Sequence, residues 1–199
     1  MEMKPASFES YLKVGLQTEN WITEWLRHEG SIVLPAYEKE GGDHKGPRLL
    51  LPDHKELIVP DLLVLNADKS VQWFEAKHKT VFSWHRKTKK WVTGIDVKCY
   101  DHYLEVEKET GWGVWILFLH TQDRTNKRNE PWPCPTGLFG QSLEVLSGKI
   151  NHKYSAYDKY QQTGWGSTGM VYWSVNSLLR ICNVEDVVNI STLDNLTVV

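Results

Sequence analysis

The chain has 199 residues, with 23 lysines and arginines against 25 aspartates and glutamates and a formal net charge of −2. This length suits a single domain, and the near-neutral balance excludes a global basic field, so any attraction for nucleic acid must be local. The three cysteines lie too far apart for a zinc ribbon or a disulfide framework, and neither a signal-peptide core nor a membrane-spanning run is present, so we expect a cytoplasmic protein.

The first predicted element is an amphipathic helix over residues 8–28. Its apolar side chains recur at helical spacing, and Gly30 follows as a C-terminal stop. Glu19 lies on or beside the apolar stripe, where an unpaired carboxylate is costly. Two interpretations remain open for Glu19: a functional carboxylate, or a border residue whose charged end reaches water.

A short strand over residues 31–34 comes next, and a polar segment over residues 37–55 follows it. This segment contains Gly41-Gly42 and Gly46-Pro47, which favour an irregular loop.

The segment from Pro60 to Lys77 predicts a β-hairpin. Two apolar runs, 62–65 and 71–74, flank the turn-forming sequence Asn-Ala-Asp-Lys-Ser. If the turn centres on Asp68, Asp61 and Glu75 are placed symmetrically about it and face each other across the strands. Lys77 is two residues beyond Glu75 and therefore lies on the same face.

Two facing carboxylates repel each other, and burial would force one of them to take up a proton. A divalent cation between them removes this conflict, because Mg²⁺ and Mn²⁺ prefer oxygen ligands. Such an ion can polarise a phosphoryl oxygen, while a nearby lysine orients water or stabilises developing charge. The hairpin therefore predicts phosphodiester hydrolysis.

Pro60-Asp61 followed by Glu75-Ala76-Lys77 resembles the signature of the PD-(D/E)xK nuclease superfamily, which includes restriction-endonuclease-like and Holliday-junction-resolvase-like nucleases. The resemblance implies that Asp61 and Glu75 hold Mg²⁺ or Mn²⁺ and that Lys77 is the catalytic lysine. It implies Glu19, on the first helix, as a further catalytic residue and metal ligand. It also implies an α/β fold, in which a central mixed sheet flanked by helices has the order α-β-β-β-α-β.

A basic segment with interspersed aromatic residues follows the hairpin. We expect two short strands, 81–84 and 91–93, around a positively charged tip that binds the phosphate backbone of DNA. The alternative is a solvated hairpin tip. The predicted DNA-binding residues are Lys79, Trp84, Arg86, Lys87, Lys89 and Lys90.

The remaining sequence predicts a helix from Thr93 to Thr110, opened by a capping pattern and followed by Gly111, and then a buried strand over residues 113–119. We expect residues 121–168 to form an insertion or peripheral lobe, followed by a strand over 170–173 and a short helix over 175–181. The chain is then one nuclease-like domain spanning residues 1–199, with a core over residues 7–120 and 169–182.

The sequence therefore predicts a metal-dependent endonuclease whose partner is DNA. A homodimer is one assembly compatible with this activity. Two other functions remain open: a nuclease-like module that binds nucleic acid without cutting it, and a structural or protein-interaction domain. A different enzyme class is disfavoured, because the sequence contains no glycine-rich phosphate loop, no nucleophile elbow and no His-Glu-x-x-His pattern.

Overall fold

The structure is a computed structural model that describes residues 8–36, 48–123, 133–155 and 169–190. In chain order its elements are α1 (Phe8–His28), β1 (Ile32–Pro35), β2 (Arg48–Leu50), β3 (Glu56–Ile58), β4 (Leu62–Leu65), β5 (Val71–Lys79), β6 (Ser83–His85), β7 (Lys90–Asp96), α2 (Val97–Thr110), β8 (Val114–His120), β9 (Gly137–Ser142), α3 (Leu143–Ser147), β10 (Ile150–Ser155), β11 (Gly169–Ser174), a 3-10 turn (Val175–Ser177), β12 (Leu179–Cys182) and α4 (Val184–Val188). No helix in this part of the chain is long and apolar enough to cross a membrane.

The described strands form a main sheet, a second sheet and a small hairpin. The main sheet has the order β1-β4-β5-β8-β9-β12, and its β5–β8 pair is parallel while its other neighbours are antiparallel. The second sheet has the order β10-β11-β7-β6 and is antiparallel, and β2 pairs with β3. The predicted mixed sheet flanked by helices is confirmed, and α1, β1, β4, β5, α2 and β8 follow the predicted α-β-β-β-α-β order.

Both faces of the main sheet are covered. Ile22 and Leu26 of α1 pack on one face, against alternate residues of β5 and β8 such as Ala76 and Leu117. The opposite face carries Trp73, Ile116 and Phe118, and α2 and the second sheet pack against it. Because β5 is covered on both sides, every residue from Trp73 to Ala76 is buried, including the charged Glu75.

The predicted start of α2 is wrong. Residues 93–96 belong to β7, where Thr93 pairs with Trp173 and Asp96 with Met170, and the helix begins at Val97 without a side-chain cap. A capping pattern is a local signal, and here the pairing with the distant strand β11 overrides it. The predicted end is confirmed, since Gly111 follows Thr110 in the left-handed conformation with φ 70°.

Three other segments also differ from expectation. Part of the predicted loop over residues 37–55 forms the β2 strand, while residues 37–47 lie outside the described residues. The predicted insertion over residues 121–168 contains β9, which pairs with β8 inside the main sheet. The predicted helix over residues 175–181 is a 3-10 turn followed by β12.

The glycines of β9 explain why the sequence did not predict this strand. A Cβ added to Gly140 would lie 2.5 Å from Leu117 Cδ2 and 3.0 Å from Ile181 Cδ1, so a larger residue there would have to displace the buried Leu117 side chain. Glycine is depleted in strands in general, and the pattern therefore favoured irregular structure.

Candidate active site

The hairpin of β4 and β5 has the predicted register. Leu62 pairs with Phe74 and Leu63 with Trp73, so the next position outward places Asp61 opposite Glu75. Asp68 fixes the turn, because its Oδ1 accepts hydrogen bonds from the Ser70 amide at 2.9 Å and from the Ser70 hydroxyl at 2.6 Å. The turn that connects the two strands therefore also sets which acids face each other.

Asp61 is held by two backbone contacts. The Ala76 amide donates a hydrogen bond to Asp61 Oδ2 at 3.0 Å, and the Asp61 carbonyl accepts one from the Ala36 amide at 2.8 Å. An ionised carboxylate has about four lone-pair sites. The bond from Ala76 therefore fixes the direction of the Asp61 side chain and leaves acceptor capacity for a cation.

Glu75 is buried beside a second acid. Its side chain is 1% exposed, Oε1 forms a salt bridge with Lys77 Nζ, and the buried Oε2 has no hydrogen-bond partner among the described residues. Burial, followed by the negative charge of Asp61, raises the pKa of Glu75 to about 7, while Lys77 and a hydrogen bond from Tyr103 act in the opposite direction. One oxygen of Glu75 therefore has no hydrogen-bond donor, and the positive charge of Lys77 does not compensate for burial and for the charge of Asp61.

Lys77 is the third predicted residue that the structure brings to this place. Burial lowers the pKa of Lys77, but the charges of Glu75 and Asp61 outweigh burial and hold that pKa above its usual value. The side chain is 36% exposed, and its ammonium group is bound to Glu75. In the metal-free protein Lys77 is thus a permanent cation.

Tyr103 on α2 is a site residue that the sequence did not single out. It is 2% exposed, and its hydroxyl donates a hydrogen bond to Glu75. Burial and the Glu75 charge raise the pKa of Tyr103 well above its usual value, so the phenol remains a donor. The spacing of Cys99 and Tyr103 on one helix face was visible in the sequence, but the docking of that face onto Glu75 was not.

Lys79 and His120 continue the same face of the main sheet beyond Lys77. Lys79 is the register partner of His120 across β5 and β8. Burial and then the charge of Lys77 lower the pKa of Lys79 to about 8, against a smaller opposing effect of Asp96. His120 is fully buried, stacks on Phe82 with ring centroids 3.5 Å apart, and has no hydrogen-bond partner on either ring nitrogen within the described chain.

Glu19 is the predicted metal ligand on helix α1. Helix α1 packs on the opposite face of the main sheet, where Thr18 and Ile22 are fully buried, and Glu19 lies half-buried next to them. No set of three His, Cys, Asp or Glu residues in the described ranges is arranged to hold a metal ion. The role of Glu19 as a metal ligand stays a prediction.

The donor set nonetheless fits a divalent cation of the Mg²⁺ type. Mg²⁺ commonly binds through one or two carboxylates and keeps several waters or substrate phosphate oxygens, so a complete protein cage is not required. Asp61 and Glu75 supply two carboxylates, and the unpartnered Glu75 Oε2 is a buried acceptor in need of positive charge. A second cation beside Lys77 would relieve the repulsion that raises the pKa of Glu75.

The predicted basic finger is the hairpin of β6 and β7. Trp84 pairs with Trp91, their rings contact edge-to-face at 5.3 Å, and Trp84 is half-buried; its contact with DNA stays a prediction. The tip residues are exposed: Arg86, Lys87, Lys89 and Lys90. Their role in binding DNA stays a prediction.

The fold and the site together define an α/β protein with two acids and a lysine on one buried hairpin, a combination suited to a metal ion and a phosphate. No model of a protein family matches the sequence, and no curated protein matches it significantly. Among solved structures the chain is similar to Hjc, a Holliday junction resolvase from Archaeoglobus fulgidus, with a TM-score of 0.46 and 6% identity over 82% of this chain and 90% of that one. It is also similar to D212, a nuclease from a fusselovirus, with a TM-score of 0.36 and 14% identity over 99% of this chain and 100% of that one.

Proposed function

We propose that this protein is a metal-dependent DNA endonuclease of the PD-(D/E)xK type. The observation that carries the proposal is the pairing of Asp61 with Glu75 across a buried hairpin, with Lys77 on the same face and one Glu75 oxygen left without a partner. An ordinary surface ion pair would not place a fully buried carboxyl group beside a half-buried one, because this arrangement costs free energy unless a further cation compensates it.

In this proposal Asp61 and Glu75 hold Mg²⁺ or Mn²⁺. The bound ion supplies a Lewis acid for the phosphoryl oxygen and a water of lowered pKa. The Ala76 amide keeps the Asp61 carboxylate directed towards β5, and the Tyr103 hydroxyl bonds to Glu75. Both ligands are thus positioned before substrate arrives.

Lys77 acts as a charged donor in this proposal. Its raised pKa keeps it protonated at neutral pH in the metal-free protein, so it suits orientation of the attacking water or stabilisation of negative charge on the phosphate, and not proton abstraction. Lys79 lies two positions further along the same strand face, where it can contact a neighbouring phosphate of the same DNA strand.

Incubation of the full chain with plasmid, linear duplex, branched and single-stranded DNA, with and without Mg²⁺ or Mn²⁺, tests the proposal. We expect metal-dependent cleavage of at least one substrate and its loss in Asp61→Asn and Lys77→Ala. Asp68→Asn is the matched control, because it changes an aspartate at the other end of the same hairpin and can keep the hydrogen bond from Ser70.

Two outcomes would contradict the proposal. If all four substrates stay intact with either ion while DNA binding persists in chelator, the protein is a binding module. If Asp61→Asn cuts as well as Asp68→Asn, the hairpin acids are not the metal ligands.

A further inference from the structure

A ladder of stacked rings lies on the face of the second sheet that is turned away from the core. Val171 and Trp173 of β11 point into the core, so Tyr172 between them points to the opposite side. His152 pairs with Tyr172 across β10 and β11, and their rings stack at 4.6 Å with planes 8° apart. His85 stacks on His152 at 3.9 Å, and Tyr154 contacts the His152 ring edge-to-face at 4.9 Å.

The backbone below the ladder leaves room for flat rings. Gly94 of β7 is the register partner of Tyr172, and a Cβ added there would lie 3.1 Å from Tyr172 Cδ1. The Tyr172 ring therefore lies against bare backbone. The four residues of the ladder are each half-buried: His85, His152, Tyr154 and Tyr172.

Positive charge borders one end of the ladder. His85 is followed directly by the exposed tip of the β6–β7 hairpin, and Thr88 in that tip shares a hydrogen bond of 3.3 Å with Asn151 on β10. This contact folds the basic tip against the ladder.

Asp96 relates the ladder to the candidate active site through its charge. Asp96 lies on the same outer face of β7 as Gly94, and its charge acts on both Tyr172 and Lys79. Lys79 is on the same strand face as Lys77 and Glu75. The charge of Asp96 is therefore felt both at the ladder and at the Lys79 end of the candidate active site.

We propose that this outer face binds single-stranded DNA, with unpaired bases stacking on the rings and the phosphate backbone held by the basic tip. Stacked rings beside lysines match the chemistry of unpaired nucleotides, because every base has a π-face and every nucleotide carries a negative charge. Bases in a duplex are stacked on each other and cannot use such a surface. The inference rests on the proposed function, and it assigns that activity to substrates with a single-stranded segment beside the site, such as a flap or a splayed arm.

Fluorescence anisotropy of the full chain in chelator, with labelled oligothymidine of about 15 nucleotides and a duplex of equal length, tests the inference. We expect His152→Ala and Tyr172→Leu each to weaken oligothymidine binding about tenfold and duplex binding less than about twofold. Tyr172→Phe keeps the ring and is expected to bind like the wild type, which separates loss of stacking from loss of folding. Thermal melting identifies a variant that fails to fold.

Charge variants at the tip supply the matched contrast. Lys87→Ala and Lys89→Ala should weaken binding to both probes and reduce the salt dependence, since phosphate contacts do not discriminate between them. The inference is overturned if the wild type does not bind oligothymidine, if folded His152→Ala loses equal affinity for both probes, or if oligouridine binds more tightly than oligothymidine. Cleavage of duplex plasmid with Mg²⁺, measured separately, tests the nuclease proposal, so either proposal can fail while the other stands.

Discussion

At the scale of single residues, the described part of the chain contains two buried titratable groups that its packing does not satisfy. Glu75 has an oxygen without a partner and a neighbouring acid, and His120 has two ring nitrogens without a partner. Both lie on the same face of the main sheet, within two parallel strands. Because a buried polar group without a hydrogen bond costs about 1–3 kcal/mol, these positions reduce stability in the metal-free protein.

Replacing Glu75 should change how stability depends on pH. The pKa of Glu75 is about 7 in the folded protein against 4.5 for the free group, so between these values the folded protein keeps a proton that the unfolded chain releases. This group therefore lowers the free energy of unfolding as pH rises from 4.5 to 7, and the loss stays in place above 7. We expect Glu75→Gln in chelator to gain stability relative to the wild type between pH 4.5 and pH 8 by up to about 3 kcal/mol, from a difference of 2.5 between those pKa values at about 1.36 kcal/mol each.

Urea denaturation of both proteins at pH 5 and pH 8 measures this difference. Glu56→Gln removes an exposed carboxylate from β3 and should stay within about 0.5 kcal/mol of the wild type at both pH values. An advantage of Glu75→Gln that is larger at pH 5 than at pH 8 would contradict the assigned sign.

Replacing His120 with an uncharged ring should increase the stability of the folded protein at acidic pH. Burial, with the charges of Lys79 and His78, lowers the pKa of His120 to about 2 from 6.5, so below pH 6.5 the unfolded chain binds a proton that the folded protein does not. Stability from this group is present above pH 6.5 and is lost as pH falls towards 2. His120→Phe removes the loss, which amounts to about 2 kcal/mol at pH 5, and keeps the stack on Phe82.

The measurement is the difference in unfolding free energy between His120→Phe and wild type at pH 5 and pH 7.5. The difference should grow in favour of the variant at the lower pH. His28→Phe, at an exposed histidine of α1, controls for loss of an imidazole. A constant difference across the range would show that His120 does not titrate as its burial requires.

At the scale of secondary-structure elements, the sequence predicted what depends on neighbours along the chain. The bounds of α1 and the symmetry of the β4–β5 hairpin about Asp68 follow from local spacing, and both are confirmed. The start of α2 and the strand β9 depend on pairing with distant strands, so local patterns misassigned them. Tyr103 was missed for the same reason, since its approach to Glu75 requires the docking of α2 on the main sheet.

The close packing of β7 against β11 at Gly94 leads to a prediction about stability. A Cβ on Gly94 would lie 2.1 Å from the Val171 carbonyl oxygen, and a backbone atom in a paired strand cannot move away cheaply. We expect Gly94→Ala to destabilise the protein by at least about 1–3 kcal/mol, the usual cost of overpacking. It should also weaken oligothymidine binding, because Tyr172 lies against this position.

Gly15→Ala is the matched control for Gly94→Ala. Gly15 lies inside α1, and an added Cβ meets no described atom within 4 Å. Alanine is the better helix former by about 0.5–1 kcal/mol, so this variant should be more stable than the wild type. Thermal melting of both variants checks the pair, and equal effects on stability would contradict the close approach of β7 to β11.

At the scale of the whole molecule, covering both faces of the main sheet is what makes the candidate site unusual. Helix α1 closes one face, while α2 and the second sheet close the other, so Glu75 lies in the interior and the half-buried Asp61 borders it. A cation bound there would stabilise the entire fold, because the unfolded chain does not hold Asp61 and Glu75 together. Ion binding and global stability are therefore linked.

Mn²⁺ or Mg²⁺ should raise the melting temperature of the wild type in a pH-dependent way. An ion at about 100 times its Kd adds about 2.7 kcal/mol to stability, which corresponds to roughly 5–10 °C for a chain of this size. The rise should be larger at pH 8 than at pH 6, because ion binding needs ionised Glu75 and its pKa is about 7 in the metal-free protein. Asp61→Asn and Glu75→Gln should abolish the rise, whereas Asp68→Asn should keep it. If the ions stabilise Glu75→Gln as much as the wild type, or more at pH 6 than at pH 8, the cation does not bind between the hairpin acids.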